Sequence, residues 1–433
     1  MIDHSGCAPA VRRTNWAGNI AFGARRLHTP ASVAELQDVV AAADTVRALG
    51  TGHSFNTIAD TTGDLVSVAG LPRSIEIDRD AATATVSAGL RFGELTDTLH
   101  RNGFALHNLG SLPHISVAGA CATGTHGSGV GNRSLAGAVR ALELVTADGD
   151  LVALERSHED FAGAVVSLGA LGVVTRVTLD LVPAFGVQQW VYEGLPRDEV
   201  IGRFDAVMSE AYSVSLFTGW RDDPVDQVWL KRRITGDGPL VAPRRWRGAT
   251  LADGPRHPVP GMPAVHCTQQ GDAGPWHARL PHFRLEFTPS NGEELQSEYF
   301  VARHDAVAAY EALERIRGGF APLLQIGEIR TVAADDLWLS PAEGGDAVAF
   351  HFTWVPDTAA VTPVLHAIED ALAPFGARPH WGKVFTTDPG RLRELYRHYA
   401  DFEELMTRFD PTGTFRNDFL ARHFPRAGDA QAG

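Results

Sequence analysis

The chain has 433 residues, 44% of them hydrophobic and 21% charged, with a formal net charge of -14. That length exceeds what one core ordinarily fills, so two domains are expected, and the acidic balance argues against a nucleic-acid partner. Three cysteines, Cys7, Cys121 and Cys267, are too few and too widely spaced for a disulfide framework or a zinc site, which points to a reducing compartment. With neither an apolar leader nor a run of roughly 18 apolar residues, no membrane association is expected. The chain reads as a cytoplasmic protein, monomeric by default.

Residues 1–13 read as a loose leader. Ser32-Val33-Ala34-Glu35 has capping-box spacing, and Val33, Leu36, Val39, Val40 and Ala43 recur at helical spacing after it. A strand at 46–49 runs into Gly50-Thr51-Gly52-His53-Ser54-Phe55. Residues 65–68 read as a strand, 75–77 and 83–87 as paired strands, and 92–99 as a helix. The glycine-rich stretch GSLPHISVAGACATGTHGSG, from Gly110 to Gly129, comes next. Strands at 142–145 and 151–154 flank the hairpin signal Asp148-Gly149. A helix at 161–168 and a strand at 173–181 complete a first domain, 14–185.

After Pro183 the composition shifts. Eight of the nine tryptophans lie beyond it, and prolines concentrate between Pro239 and Pro289. The run Lys231-Arg232-Arg233 reads as a solvated strand end. Strands at 214–218, 227–231, 284–287, 325–331 and 348–354, with helices at 304–316 and 361–372, predict an α+β second domain, 186–390, on an antiparallel sheet. From Arg391 the chain reads as helical until Asp410-Pro411-Thr412-Gly413 ends the helix, and this C-terminal helical segment, 391–433, returns to the first domain.

Glycine permits positive φ and close backbone approach, and successive amides form concavities that hold phosphate oxygens. Either glycine cluster alone is an ordinary turn; the pair suits a long phosphate-bearing cofactor. The Rossmann and Walker patterns are both absent, since Gly50-Thr51-Gly52 continues as His-Ser-Phe and no Gly-Lys-Ser/Thr occurs. His114 and His126, taken with His53 or His107, match no zinc spacing and lack accompanying carboxylates or cysteines, so no metal is expected. On the residues alone, His53 reads as a loop histidine with an ordinary hydrogen bond.

Gly52-His53-Ser54-Phe55, Ser111-Leu112-Pro113-His114-Ile115-Ser116-Val117-Ala118-Gly119, Thr123-Gly124-Thr125-His126-Gly127 and Gly169-Ala170-Leu171-Gly172-Val173 together resemble the FAD-binding domain of the vanillyl-alcohol-oxidase family. Within it the chain is similar to the bacterial alditol (xylitol) oxidases. That similarity is carried by Asn15-Trp16-Ala17-Gly18-Asn19, His257-Pro258-Val259-Pro260-Gly261-Met262-Pro263, Glu328-Ile329-Arg330-Thr331 and His380-Trp381-Gly382-Lys383. The resemblance implies a two-domain α+β fold: an α/β FAD-binding domain and a substrate domain on an antiparallel sheet flanked by helices. It implies FAD held by Gly50, Thr51, Gly52, His53, Ser54, Gly110, Ser111, His114, Ser116, Val117, Ala118, Gly119, Thr123, Gly124, His126, Gly127, Gly172 and Val173. It also implies a covalent bond from His53 to the flavin 8α-methyl, a bond that a neutral imidazole is competent to form.

On the substrate side, Glu328 and Arg330 are two apart and share a strand face, as do His351 and Thr353. Read alone, the first pair is a surface ion pair of little consequence. In similar alditol oxidases Ser111, Glu328, Arg330, Thr353 and Lys383 line the polyol pocket. The residue types suit an uncharged substrate with many hydroxyls: Glu328 accepts, Arg330 and Lys383 donate, and Ser111 and Thr353 do both. The reaction implied is oxidation of a terminal primary hydroxyl to the aldose, with dioxygen reduced to hydrogen peroxide. Lys383 and Arg330 would stabilise the C1 oxygen. Glu328, His351, water and the flavin remain open as proton acceptors.

Gly110 stands where alditol oxidases can carry alanine, which could open a path for dioxygen or relax the loop. His107 stands where a proline would be unsurprising. Two other functions compete. One is an aldonolactone oxidase or dehydrogenase of the same family, disfavoured by the HPVPGMP stretch. The other is a non-catalytic flavin-containing carbohydrate-binding protein, disfavoured by the completeness of the Glu328, Arg330, Thr353 and Lys383 set.

Overall fold

The computed structural model describes residues 13–235, 240–268, 271–287 and 293–426. The expected leader short of Arg13, with Cys7, Pro239, Pro289 and the tail beyond 426, lies outside the described residues. The first half opens with a parallel three-stranded sheet in which Asp64–Val66 lies between Arg26–His28 and Val46–Ala48. The helix Val33–Ala41 starts as its capping signature predicts: Ser32 Oγ accepts from the Glu35 amide at 3.1 Å. The returning bond from Glu35 is made to the amide of Ala31 at 2.8 Å, one residue earlier than in the standard box.

An antiparallel five-stranded sheet follows, in the order Ile75–Asp78, Thr83–Ser87, Val173–Asp180, Val139–Val145, Leu151–Glu155. The strand Val173–Asp180 alternates buried and half-buried residues along its length, the period-2 signature of one covered face. The expected hairpin closes at Gly149, whose φ of +82° admits few residues other than glycine. The helix expected at 161–168 stops at Val165, because Val166 already leaves helical geometry with ψ +66°.

Among the described residues, ten antiparallel strands form the sheet of the second half. Its central order is Val225–Ile234, Ser213–Thr218, Leu324–Val332, Ala347–Trp354, Leu295–Ala302. Helices Ala306–Phe320 and Thr358–Leu372 cover one face. Tyr299, Val301, Ile329, Val348, Phe350, Phe352 and Trp354 pack there with Leu313, Leu365 and Ile368. On the opposite face lie the polar residues Gln296, Glu298, Glu328, Arg330, His351 and Thr353, with an apolar patch of Phe300, Val332, Ala347 and Ala349. Strands Gly186–Leu195 and Leu295–Ala302 and helices Arg197–Met208 and Asp418–His423 were not expected from the sequence. Residues 284–287 are not a strand. Thr268 and Arg284 exchange bonds with His282 and His266 around Phe283 only, and Phe287 then closes a turn onto Arg284 O at 3.2 Å.

Two helices, Pro389–Leu395 and Tyr399–Phe409, stand where one continuous segment was expected. With the helix Asp418–His423 they return to the first half, and this segment buries Tyr399, Phe402, Leu405, Phe419 and Phe424 in its core. Asp410 ends the second of them by accepting the amides of Gly413, Thr414 and Phe415. Buried Arg47 closes the join, donating to the carbonyls of Ile58, Leu168, Gly169 and Phe415. No helix among the described residues is long and apolar enough to cross a membrane.

Candidate active site

A cavity of about 700 Å³ runs between the two halves and is lined by both. Its first wall begins where the strand Val46–Ala48 ends. Leu49 still donates to Val66 O at 2.8 Å, and Phe55 donates to Gly382 O at 2.8 Å. Between them the amides of residues 50–54 donate to no acceptor among the described residues, although all five residues line the cavity. These residues are half-buried or exposed toward the cavity, and a row of open amides there fits a ligand that brings its own acceptors, such as the diphosphate of FAD. Gly52 takes φ +70° in this bend. Gly172 lines the same cavity with φ +154°, and a Cβ there would sit 2.5 Å from Val145 O.

His53 faces the cavity stacked on Trp16, with ring centroids 5.1 Å apart and planes 20° from parallel. Its Nδ1 lies 2.9 Å from Thr51 Oγ1. Burial, with neighbouring His114 and Lys383, pushes its pKa down to about 4, so the imidazole is neutral near pH 7. Ser54, Ser111, Ser116, Ala118, Gly119, Thr123, His126 and Val173 also line the cavity. Gly110, His114, Val117, Gly124 and Gly127 do not. His114 Nε2 sits 3.0 Å from Leu285 O, and Val117 is packed in the core. A Cβ on Gly127 would sit 2.2 Å from Leu109 O, and one on Gly124 3.2 Å from Pro341 Cδ, so those glycines shape the loop. A Cβ on Gly110 meets nothing closer than Thr125 Cγ2 at 3.5 Å, so alanine fits there without displacement.

The opposite wall is the polar face of the ten-stranded sheet. Antiparallel register sets Glu298 opposite His351, and His351 opposite Glu328, across three adjacent strands. Side chains directly opposite on one face are neighbours, so the pairing itself assembles the row. Arg330 Nη2 binds Glu298 Oε1 at 2.5 Å, and Arg330 Nε lies 3.6 Å from Glu328 Oε2. Arg330 Nη1 donates to Ser111 Oγ at 3.3 Å. His351 Nδ1 lies 3.3 Å from Glu298 Oε2, and its Nε2 3.2 Å from Thr353 Oγ1. Lys383 follows a bend in which the Gly382 amide donates to His380 Nδ1 at 3.0 Å. The Lys383 ammonium donates to Gln296 Oε1 and lies 5.0 Å from the centre of the Phe55 ring. Ser111, Glu328, Arg330, His351, Thr353 and Lys383 thus share one cavity.

The sequence reading did not single out Gln296, Glu298 or His282. The first two sit two apart on Leu295–Ala302, the spacing that marks Glu328 and Arg330, so the signal was there. Glu298 is the hub: besides Arg330 and His351 it accepts from His126 Nε2 at 3.1 Å. His282 Nε2 lies 2.7 Å from Glu328 Oε1. Its position follows from a tertiary contact, with no sequence pattern to announce it.

Burial alone would raise the pKa of Glu328, but Arg330 and His282 hold it well below the usual carboxylate range. Glu298 is likewise held low by Arg330, His126 and His351 against the effect of burial. Burial lowers the Lys383 pKa to about 8, with Glu298 opposing the fall, so the ammonium persists at neutral pH. Burial also lowers the His351 pKa, again against Glu298, which leaves that ring neutral. Within this row the cations Arg330 and Lys383 balance the carboxylates Glu298 and Glu328, with Glu293 and Glu294 further along the cavity lining, a setting for a ligand rich in hydroxyls.

A family profile described as "FAD binding domain" matches residues 24–155, and one described as "D-arabinono-1,4-lactone oxidase" matches residues 296–423. The chain is 53% identical over 412 residues to an alditol oxidase of Streptomyces sp. (strain IKD472 / FERM P-14339), covering 94% of this chain and 97% of that one. It is 30% identical over 432 residues to an L-gulono-1,4-lactone dehydrogenase of Mycobacterium tuberculosis, covering 94% and 98%. Among solved structures, a cholesterol oxidase from B. sterolicum superposes with a TM-score of 0.78 at 15% identity over 96% of each chain, a likeness of fold.

Proposed function

The chain belongs to the alditol oxidase family of FAD-dependent oxidoreductases, and on that premise we propose that it oxidises the terminal primary hydroxyl of polyols such as xylitol and sorbitol to the aldose, with dioxygen reduced to hydrogen peroxide. The observation that supports this most is the charge-balanced polar row Glu298–His351–Glu328 with Arg330 and Lys383 in one cavity. When bound, FAD supplies the hydride acceptor and passes the electrons on to dioxygen. Residues 14–185 with the segment from 391 hold the cofactor in this reading, and 186–390 present the substrate. The protein acts as a cytoplasmic monomer. Its buried thiols Cys121 and Cys267, both pushed up to about 12 chiefly by burial, need no oxidising partner.

Each cavity residue has a task in this reading. Lys383 and Arg330 donate to the reacting hydroxyl oxygen and stabilise its developing negative charge. Glu328 accepts from a neighbouring substrate hydroxyl, and Ser111 and Thr353 do so or donate. A site built for hydroxyls rejects analogues that lack them. Glu328, held ionised and strongly acidic, is a poor proton acceptor; neutral His351 on the same face takes the hydroxyl proton. A panel of xylitol, sorbitol, glycerol and gulonolactone with peroxide detection tests the function. Turnover of polyols is expected. Turnover of gulonolactone alone would move the assignment to the aldonolactone enzymes, the reading favoured by the profile over residues 296–423.

These ionisations set the pH profile. Below its pKa, itself lowered from 6.5, His351 gains a proton and can no longer accept one. Above about 8, Lys383 loses its charge. The kcat/KM profile is therefore a bell falling below pH 6.5 and again as pH rises through about 8. Lys383→Arg carries its alkaline limb out of range; a limb that stays near 8 in that variant belongs to another group.

His53 is neutral, placed on the cavity wall and immobilised against Trp16, which favours covalent attachment to FAD. Acid-precipitated wild-type protein retains its yellow colour, and His53→Ala releases it to the supernatant. Wild-type precipitate that turns white would reject the bond.

A further inference from the structure

The run Lys231-Arg232-Arg233 is not a solvated strand end. Lys231 is fully buried on the strand Val225–Ile234. Its Nζ donates to the carbonyl oxygens of Arg279, Leu280 and Pro281 at 2.7, 2.8 and 2.9 Å. Three acceptors engage all three ammonium protons. Burying a cation is costly, and burial drives the Lys231 pKa well down, with Glu328 opposing. An apolar side chain would fill the position without that cost, so the use of lysine lies in what it grips.

Residues 279–281 lead directly into His282. The amides of His282 and Phe283 both reach Ser111 O at 3.2 Å, and Ser111 Oγ accepts from Arg330. The His282 ring is boxed by Phe217 and Trp229, with centroids at 5.4 and 5.2 Å, and by Ser215 Oγ at 3.3 Å. Its Nδ1 has no partner among the described residues, so the proton sits on Nε2 and is donated to Glu328 Oε1 at 2.7 Å. The charged groups facing it are Glu328, Lys231 and Arg330.

We infer that Lys231 and His282 are positioning residues, Lys231 buried behind the substrate wall and His282 within that wall beside Glu328: Lys231 clamps residues 279–281, and the segment so held fixes Glu328 through His282 and Ser111 through its backbone. The inference rests on the proposed role of Glu328 and Ser111 in binding the polyol hydroxyls.

The test is a double-mutant cycle on the FAD-loaded enzyme. His282→Leu lowers kcat/KM for xylitol about 10–30-fold, chiefly through KM, because a buried acceptor loses its donor. His282→Gln, which restores a donor, recovers most of the loss. On a Glu328→Ala background His282→Leu costs less than about 3-fold, since residues that act through one contact are not additive. Lys231→Met follows the same pattern; should it fail to fold, the His282 variants decide. The cycle is repeated in Tm, which needs no turnover. An equal loss from His282→Leu with and without Glu328, in both readouts, overturns the inference. A wild type that turns over gulonolactone and no polyol removes the polyol reading, yet the cycle run on the lactone still tests the support.

Discussion

Lys383→Met is expected to slow substrate-dependent flavin reduction by about 10²–10³-fold, the usual cost of removing one donor aimed at a developing oxyanion, while FAD content per chain stays unchanged. Lys383 sits on the substrate side of the cavity, tied to Gln296 and over the Phe55 ring. The unpaired amides of residues 50–54 and the glycine bends that hold the cofactor do not depend on its charge. Methionine keeps the length and apolar stem and removes only the ammonium, so packing against Phe55 survives. Rapid mixing with xylitol under anaerobic conditions separates the two effects: reduction slows and the absorbance ratio of flavin to protein holds. Near-normal reduction would remove Lys383 from the chemistry.

Glu298→Leu is expected to destabilise the fold by about 3–5 kcal/mol, the cost of leaving one member of a buried ion pair uncompensated. Glu298 and Arg330 are both buried and bonded at 2.5 Å. The carboxylate also bonds His126 from the glycine-rich loop of the first half and lies beside His351. Its loss therefore loosens the join between halves as well as the position of Arg330. Glu298→Gln, which keeps an acceptor and the shape, should cost less. The double variant Glu298→Leu/Arg330→Met should recover part of the stability while remaining inactive, since Arg330 is no longer left without Glu298, whereas Glu328 then loses its arginine and keeps His282. Denaturant titration checks all three; a double variant no more stable than Glu298→Leu alone would show that the pair is not the source of the loss.

Much of the first half was legible in the residues because its signals are local. Ser32 and Glu35 announce a helix start, Asp148-Gly149 a hairpin, and alternation around residues 75–87 two strands. The glycine bend at 50–54 showed where amides would be left open. The second half was harder where tertiary structure decides. The strand Leu295–Ala302 has three consecutive polar residues followed by an apolar run, with no alternation to mark it, yet Gln296 and Glu298 look into the cavity. Lys231 was misread for the same reason: a charge run marks solvent until a neighbouring segment offers three carbonyls. His282 lies in irregular chain after Pro281, placed by a clamp that no periodicity encodes. The turn at 284–287 shows the converse: Arg284-Leu285-Glu286-Phe287 alternates like a strand but finds no continuous strand partner among the described residues.

The most direct test of the central claim is the visible spectrum of the purified, FAD-loaded protein before and after xylitol is added without oxygen. A bound yellow chromophore that bleaches on addition, and regains its colour when air is admitted with release of peroxide, is the predicted result. A protein that holds the chromophore but leaves it unbleached by any polyol contradicts the account.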